Sequence, residues 1–375
     1  MVLLIGNYEP DQQQSMQRFG TMMVDGLRAA GVAAEMIKPE PYFGRFRAAG
    51  ATAAKWLGYI DKFLIFPFKL KRKLTERPAI VHICDHSNAV YTVRIRDTPV
   101  VVTCHDLLAV RGGIGEQTDT PASSTGRVLQ RWILRGLRRA TSVACISRAT
   151  LADAQRLVVQ EAAGPQLSVI TLGLSYPYRR IPEEESIARI QSFAQLTAGG
   201  EFILHVGSNA RRKNREAVLR IFARARQDWN GRLVFAGDAL NTELRALAHE
   251  LGVARDVIEI AGPSNELLEA LYNRAVALVY PSRFEGFGWP IAEAQACGCP
   301  VICSDREPLP EVAGNAGLIH DVADVEGFAA DVLRLTNPQE RARWSEKSLR
   351  NAERFTSRRM IEQYIALYRS VGAQL

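Results

Sequence analysis

Short apolar runs, bounded by glycine, proline or polar residues, alternate along the chain with longer stretches whose apolar positions recur at helical spacing. The runs read as buried strands, the stretches as helices laid over them. Val2 to Gly6 is the first run. After a polar loop, Asn7 to Ser15, the stretch Met16 to Ala30 places Met16, Phe19, Met23, Leu27 and Ala30 on one face, closed by Gly31, and Val32 to Ile37 follows as a strand. Ala79 to Ile83, Val100 to Thr103, Ser142 to Ile146 and Leu167 to Thr171 continue the series, with Ser147 capping a helix near Arg148. Leu172 to Glu185, marked by Pro177, Pro182 and three consecutive glutamates, reads as a linker before a helix from Ser186. The pattern restarts with strands at Glu201 to Val206, Arg232 to Ala236, Val257 to Ile260, Ala275 to Tyr280, Pro300 to Cys303 and Gly317 to His320. Helical patterns over Asp324 to Leu335, Pro338 to Arg354 and Ser357 to Tyr368 end the chain. This alternation predicts an α/β protein of two doubly wound, Rossmann-like domains, residues 1–175 and 176–355, followed by a terminal helix over 356–375.

Two stretches depart from the pattern. Over Tyr42 to Leu74, Trp56, Tyr59, Ile60, Phe63, Leu64, Phe66 and Phe68 are interleaved with Arg45, Arg47, Lys55, Lys62, Lys69, Lys71, Arg72 and Lys73. The helix Thr125 to Ala140 repeats the theme, with Arg127, Arg131, Arg135 and Arg138 on one face and Trp132, Ile133 and Leu137 elsewhere. A basic, aromatic-rich amphipathic segment suits an anionic membrane surface. Its alternative is a helix packed on the core with solvated lysines.

Composition narrows the classes. The 375 residues are 47% hydrophobic and 23% charged, as in globular domains. No run is long enough to cross a membrane, and Val2 to Ile5 is too short for a signal peptide, so the expected location is the cytoplasm, peripheral to the inner face of the membrane. The net charge of +7 admits nucleic acid, an anionic membrane or phosphorylated substrates. No nucleic-acid motif is present, which leaves the latter two. The six cysteines are scattered without metal-ligand spacing and read as buried thiols. The first loop lacks G-x-G-x-x-G, so no dinucleotide fingerprint occurs there.

Candidate chemistry gathers at the ends of predicted strands. After Tyr280 comes Pro281-Ser282-Arg283-Phe284-Glu285-Gly286-Phe287-Gly288-Trp289-Pro290, then Glu293 and Gly298. Gly286 and Gly288 let backbone approach a ligand, and Pro290 suits the first position of a helix capped by Gly298. Helix N-termini attract anions, whereas carboxylates such as Glu285 and Glu293 accept from paired hydroxyls. Phosphate and polyol together fit such a loop. A glutamate alone would equally well serve to favour the helix N-terminal region. After Val206, Gly207-Ser208-Asn209 leads into Arg211, Arg212, Lys213 and Asn214 before a helix, a plausible diphosphate clamp. Asp85-His86-Ser87 and His105-Asp106 end two strands of the first half, where a His-Asp pair can orient a sugar hydroxyl. Gly262-Pro263-Ser264 precedes another helix.

The string from Pro281 to Val301, continuing to Pro310-Glu311-Val312, resembles the signature of the family-4 retaining glycosyltransferases of the GT-B fold. Val101 to Leu107 and the Gly207 to Asn214 loop resemble segments of the same family. The resemblance implies two domains facing a central cleft, an N-terminal one for the acceptor and a C-terminal one for a nucleotide-diphosphate sugar. It implies that Glu293 holds the donor ribose and that Glu285 lies by the transferred sugar and its phosphate. Gly286, Phe287, Gly288 and Trp289 would contact sugar or diphosphate, and Pro263 would lie near the base. Arg212 and Lys213 would meet the charge on the leaving diphosphate, with Gly207, Ser208 and Asn214 shaping the loop. His105 and Asp106 would face the sugar from the first domain. Relatives often carry arginine directly after the glycine; here Ser208 stands there, and Arg211 or Arg212 is expected to supply the charge. A glycine pair frequent in the first loop is replaced by Asp11-Gln12-Gln13-Gln14-Ser15. The implied reaction moves a hexose, first of all mannose from GDP-mannose, to a hydroxyl of a lipid-linked or polysaccharide acceptor, with no metal or other cofactor. The competing readings are a non-catalytic sugar-nucleotide-binding subunit and an epimerase or phosphorylase on the same fold.

Overall fold

The computed structural model describes residues 1–45, 51–118, 122–159, 164–197 and 200–375, without the side chains of 51–55, 194 and 197. Among these, twelve strands form two sheets of six, parallel throughout. The first holds β1 (Val2–Ile5), β2 (Ala34–Ile37), β3 (Ile80–Ile83), β4 (Val100–Cys104), β5 (Ser142–Cys145) and β6 (Gln166–Val169), in the order β2-β1-β3-β4-β5-β6. The second holds β7 (Phe202–Gly207), β8 (Arg232–Gly237), β9 (Val257–Ala261), β10 (Ala277–Tyr280), β11 (Val301–Ser304) and β12 (Gly317–His320), in the order β12-β11-β10-β7-β8-β9. Central strands are apolar on both faces because helices cover both; β1, β3, β4, β10 and β11 are buried at every position. Register is set by these runs, with Val2 opposite both Ala34 and Ile80, and Leu204 opposite both Val234 and Leu278.

The chain divides into two compact units, Met1–Ser175 with Ser357–Leu375, and Tyr176–Thr356. The terminal helix Ser357–Ser370 belongs to the first because its tyrosines enter that unit's core. Tyr364 and Tyr368 are fully buried, and Tyr368 Oη lies 2.7 Å from His82 Nδ1. His82 Nε2 lies 2.8 Å from Thr103 Oγ1, which in turn lies 2.7 Å from Tyr364 Oη. Burial pushes the His82 imidazole down to about 3, so it sits neutral between two strands and a helix.

Several boundaries differ from those read off the sequence. The loop after β1 contains a short 3-10 turn, Glu9–Asp11, and the first helix begins at Gln14. Glu183, Glu184 and Glu185 are the first turn of the helix Glu183–Ile190 rather than linker; three carboxylates there complement the helix dipole. Leu108–Ile114 is helical and His86–Arg94 a 3-10 segment, both too short to carry a periodic pattern. Ser147 caps the helix Arg148–Leu157 by accepting from Thr150 N, as expected of a serine at that position.

Of the basic aromatic stretch, Arg47 and the Lys55 side chain lie outside the described residues. The rest forms a helix, Ala51–Ile60, a π turn, Asp61–Ile65, and a second helix, Phe66–Leu74. Phe66 and Leu70 enter the core of the first unit with Phe63 and Leu74 packed against it. Trp56, Leu64 and Phe68 remain 57%, 62% and 76% exposed, so apolar side chains occupy both faces of this segment. The predicted helix Thr125 to Ala140 spans Ser124–Leu137, with Ile133, Leu134 and Leu137 inward and Arg127, Arg131 and Arg135 outward. Arg138 does not share their solvated face, because its guanidinium donates to the Leu157 carbonyl at 2.9 Å.

Candidate active site

In the second sheet β7 and β10 are neighbours from which the chain departs to opposite sides, the switch point at which doubly wound sheets take ligands. Both glycine-bearing loops singled out above lie there. After β7 a 3-10 turn, Arg211–Lys213, leads to Asn214 in the left-handed conformation (φ 54°) and the helix Arg215–Ala225. After β10 the loop runs to Gly288 and the helix Trp289–Ala296. Arg283 N donates to the Arg212 carbonyl at 2.7 Å, and Asn214 Nδ2 donates to the Pro281 carbonyl at 2.9 Å, so each loop pins the other.

Glu285 is the centre of this arrangement. Its Oε1 accepts from Lys213 Nζ at 2.6 Å and from Tyr280 Oη at 2.8 Å, and its Oε2 accepts from Arg212 Nη1 at 2.7 Å. Lys213 also donates to Tyr280 Oη at 2.6 Å. Glu285, Lys213 and Tyr280 are buried, whereas a third of the Arg212 side chain is open. Burial acts to raise the Glu285 carboxyl, but the adjacent Lys213 and Arg212 charges outweigh it and hold the carboxyl below its usual range. For Lys213 burial prevails over the attraction of Glu285, and the ammonium is held below the usual lysine range. Two cations share the Glu285 carboxylate, and Glu293 adds a second negative charge that acts on Lys213, so what the cluster offers an anion is the donors of Arg212 and Lys213 and not a net charge. Of the two arginines expected to replace the charge at Ser208, Arg212 is the one at Glu285; Arg211 is exposed.

Gly288 has φ 99°, a conformation that favours glycine, and a Cβ there would sit 2.8 Å from the tip of the Leu309 side chain. Trp289 is the first helical residue and Pro290 the second, one place later than predicted. Gly298 follows the helix with φ 74°. Glu293, one turn inside, is buried and accepts from Tyr272 Oη at 2.9 Å. Phe287 is buried with its ring 5.7 Å from that of Phe355, which ties the Gly286 to Gly288 loop to the unit's own core. Pro263 sits between Gly262 (φ 57°) and Ser264, the cap of the helix Asn265–Arg274. Gly207 closes β7, where its carbonyl accepts from Arg215, and Ser208 Oγ accepts from Ala210 N at 3.4 Å.

Four residues of this site were not singled out from the sequence: Tyr280, Tyr272, Arg215 and His205. Tyr280 was visible as a tyrosine closing a buried strand, whose hydroxyl must find a polar partner. Arg215 is 3% exposed; it donates to Asn209 Oδ1 at 2.7 Å and the Asp238 carbonyl at 2.8 Å, bracing the loops after β7 and β8. His205 lies beneath, stacked on Tyr280 and bound through Nδ1 to the Val279 carbonyl, and burial pushes it down to about 3.

His105 and Asp106 belong to the first unit and are not part of this cluster. His105 Nε2 donates to the Cys84 carbonyl at 2.9 Å, and its Nδ1 is buried without a partner. Burial keeps the imidazole low, only partly offset by Asp85. Asp106 Oδ1 accepts from Leu108 N at 3.0 Å.

Comparison with known proteins bears on this arrangement. The chain is 42% identical over 106 residues to O-antigen chain mannosyltransferase B of Escherichia coli, a match covering 28% of each chain. It is 29% identical over 293 residues to a D-inositol 3-phosphate glycosyltransferase of Acidothermus cellulolyticus, covering 74% of this chain and 63% of the relative. The chain thus spans less than two thirds of either relative's length. Anabaena HepE, solved in complex with UDP, superposes with a TM-score of 0.73 at 16% identity, over 99% of this chain and 100% of that one. The fold is of the GT-B type. The sequence profile of the Glycosyl transferases group 1 family matches residues 188–350, that of the Glycosyl transferase 4-like domain matches 16–170, and the chain belongs to the group 1 glycosyl transferases.

Proposed function

We propose that the protein is a retaining hexosyltransferase whose second unit binds a nucleotide-diphosphate sugar, with GDP-mannose as the first candidate donor. The observation that carries this reading is Glu285 held by Lys213, Arg212 and Tyr280 at the switch point of the second sheet, beside the amino end of the helix Trp289–Ala296. Arg212, Lys213 and the helix amino end would receive the diphosphate, backbone from Gly286 to Trp289 the sugar, and Glu293 the ribose hydroxyls. Gly207, Ser208 and Asn214 would shape the phosphate loop and Pro263 the rim by the base. In the first unit, the Asp106 carboxylate and the buried, unpartnered Nδ1 of His105 are the groups read as facing sugar hydroxyls.

In the reaction the acceptor oxygen bonds to the anomeric carbon on the face from which the diphosphate leaves. The bond from that carbon to the phosphate oxygen breaks with its electron pair on the oxygen, which takes the acceptor proton. No side-chain base is needed, and the Arg212 and Lys213 donors would meet the developing charge without a metal. The mannosyltransferase relative supports the choice of sugar, and the UDP complex of HepE supports a nucleotide donor. The acceptor is read as a lipid-linked or polysaccharide hydroxyl. Exposed Trp56, Leu64 and Phe68 beside Lys71 and Arg72 support contact with an anionic membrane at the cytoplasmic face.

Thermal unfolding with GDP, UDP, ADP and dTDP, each at about a hundred times its dissociation constant, tests the donor site, since saturation adds about 2.7 kcal/mol to stability. One base should raise the midpoint. No shift with any of them overturns the reading.

A further inference from the structure

A cavity of about 660 Å³ opens within the first unit, lined by the segments that follow β1 and β3 at the switch point of its sheet. Its wall combines the rings of Tyr59 and Phe63 with side-chain amides from Asn7, Gln12, Gln13, Asn88 and Gln130. Rings offer apolar surface to the C–H groups of a pyranose, and amides supply both donors and acceptors for hydroxyls. Asn7 is 5% exposed; its Nδ2 donates to Gln13 Oε1 at 2.6 Å and to Asp85 Oδ2 at 2.5 Å, while its Oδ1 has no partner. Asn7 thus brings to the cavity lining a side chain whose acceptor has no protein donor.

The charge of the wall is equally specific. Among the described lining residues there is one cation, Lys62, and one carboxylate, Asp11. They form an ion pair at 2.8 Å. Lys62 Nζ also lies 5.4 Å from the ring centre of Tyr8 and 5.1 Å from that of Tyr59. Its position is imposed from both sides. Asp61, the first residue of the π turn, is buried and accepts from Tyr8 Oη at 2.7 Å and Gly44 N at 2.8 Å. Tyr91 Oη donates to the Lys62 carbonyl at 3.0 Å. A phosphate or carboxylate entering the cavity would meet a cation already paired, together with the negative charge that pairs it. A neutral sugar meets neither penalty.

We infer that this cavity is a subsite for an uncharged sugar residue of the acceptor, and that Asp11 sets the preference by masking Lys62. The inference rests on the glycosyl-transfer reading above and names the class of sugar on the acceptor side. Asp11 ends the short 3-10 turn Glu9–Asp11 in the loop between β1 and the first helix, so the preference would lie in that loop.

The test is calorimetric binding of methyl glycosides (mannose, glucose, galactose and N-acetylglucosamine) and the matching sugar 6-phosphates to the full chain, to Asp11→Asn and to Gln130→Ala. The wild type should bind a methyl glycoside and discriminate against its 6-phosphate. Asp11→Asn should tighten the 6-phosphate by about tenfold or more, the scale of one charge-assisted contact, with little change for the glycoside. Gln130→Ala should weaken the glycoside. Wild-type preference for the phosphate, an unchanged ratio in Asp11→Asn, or intact glycoside binding in Gln130→Ala overturns the inference. Nucleotide binding is measured alongside. If nucleotide binds and no glycoside does, the subsite is refuted and the donor site stands; if glycoside binds and no nucleotide does, the donor reading fails alone.

Discussion

Lys213→Ala removes one of three groups holding a buried carboxylate. At 2.6 Å the gross attraction between Lys213 Nζ and Glu285 Oε1 is about 6 kcal/mol at an effective dielectric of 20. Most of it is offset by the cost of burying both charges, and breaking such a pair from one side typically destabilises by about 3–5 kcal/mol. Glu285 would keep Arg212 at 2.7 Å and Tyr280 at 2.8 Å, so the expected loss lies at the lower end, about 3 kcal/mol for the second unit. For a unit of this size that is a fall in midpoint of roughly 6–12 °C. Turnover should fall further, by about 10²–10³, because a donor aimed at developing charge is lost.

Calorimetric unfolding and a transfer assay with the donor identified by nucleotide binding give the two numbers separately. Tyr280→Phe is the control. It removes the hydroxyl that donates to the same Oε1 and accepts from Lys213 while leaving the charge balance intact, and should cost about 1–3 kcal/mol with a smaller loss of turnover. Equal losses of turnover in the two variants would mean that Lys213 acts by holding the loop. Unchanged turnover in Lys213→Ala would refute the assignment of the site.

Glu293→Ala should weaken nucleotide binding by about tenfold or more through lost charged hydrogen bonds, measured by titration calorimetry. Gly288→Ala should destabilise the second unit by about 1–2 kcal/mol, from the φ of 99° and the approach to Leu309, with activity falling more than stability; full activity would contradict the close-approach role of this loop. The double replacement Leu64→Ser and Phe68→Ser, on exposed positions, should reduce sedimentation with anionic phospholipid vesicles while changing stability by no more than about 0.5 kcal/mol per site; unchanged sedimentation would remove the membrane contact. His82 in the first unit and His205 in the second are pushed to about 3, below the ordinary value of 6.5. Below pH 6.5 the unfolded chain takes up protons that the folded chain refuses, so each contribution is complete above pH 6.5 and is lost as pH falls towards 3. By pH 5 each unit should have lost about 2 kcal/mol from this source, and denaturant titrations showing a flat profile between pH 7 and 5 would contradict it.

What the sequence made legible depended on how local the determining physics was. The strand series could be read because a strand covered on both faces must be apolar throughout, as Val301 to Cys303 are, and the intervening helices because one stripe of each is buried. Strand order could not be read. Nothing in Phe202–Gly207 or Ala277–Tyr280 says that they are neighbours; that pairing follows from how every crossover packs at once. Boundaries failed where a polar run had two local uses. Glu183 to Glu185 suits a linker and a helix start equally, and the helix was decided by Ser186 and Ile190 being buried.

The site divides along the same line. Glu285, Lys213 and Arg212 were visible separately, each on a loop with glycine beside it, but not that Glu285 binds both cations, because residues far apart in sequence meet only through the order of the sheet. The groups left unseen, Tyr280, Tyr272, Arg215 and His205, share one character. Each is a polar side chain carried on a core element, and apolar patterning hides such residues because they sit where the pattern asks for a buried one. Burying them has a cost that only specific partners offset. Here the partners are Glu285, Glu293 and the carbonyls of Asp238 and Val279. These four polar exceptions gather at the two glutamates and the strands beneath them, whereas Glu269 and Gln295, buried in the same unit, bind Arg189 and the Ala313 carbonyl instead. The gathering of the four ties this core to a binding task, since a core serving stability alone would have no need of it.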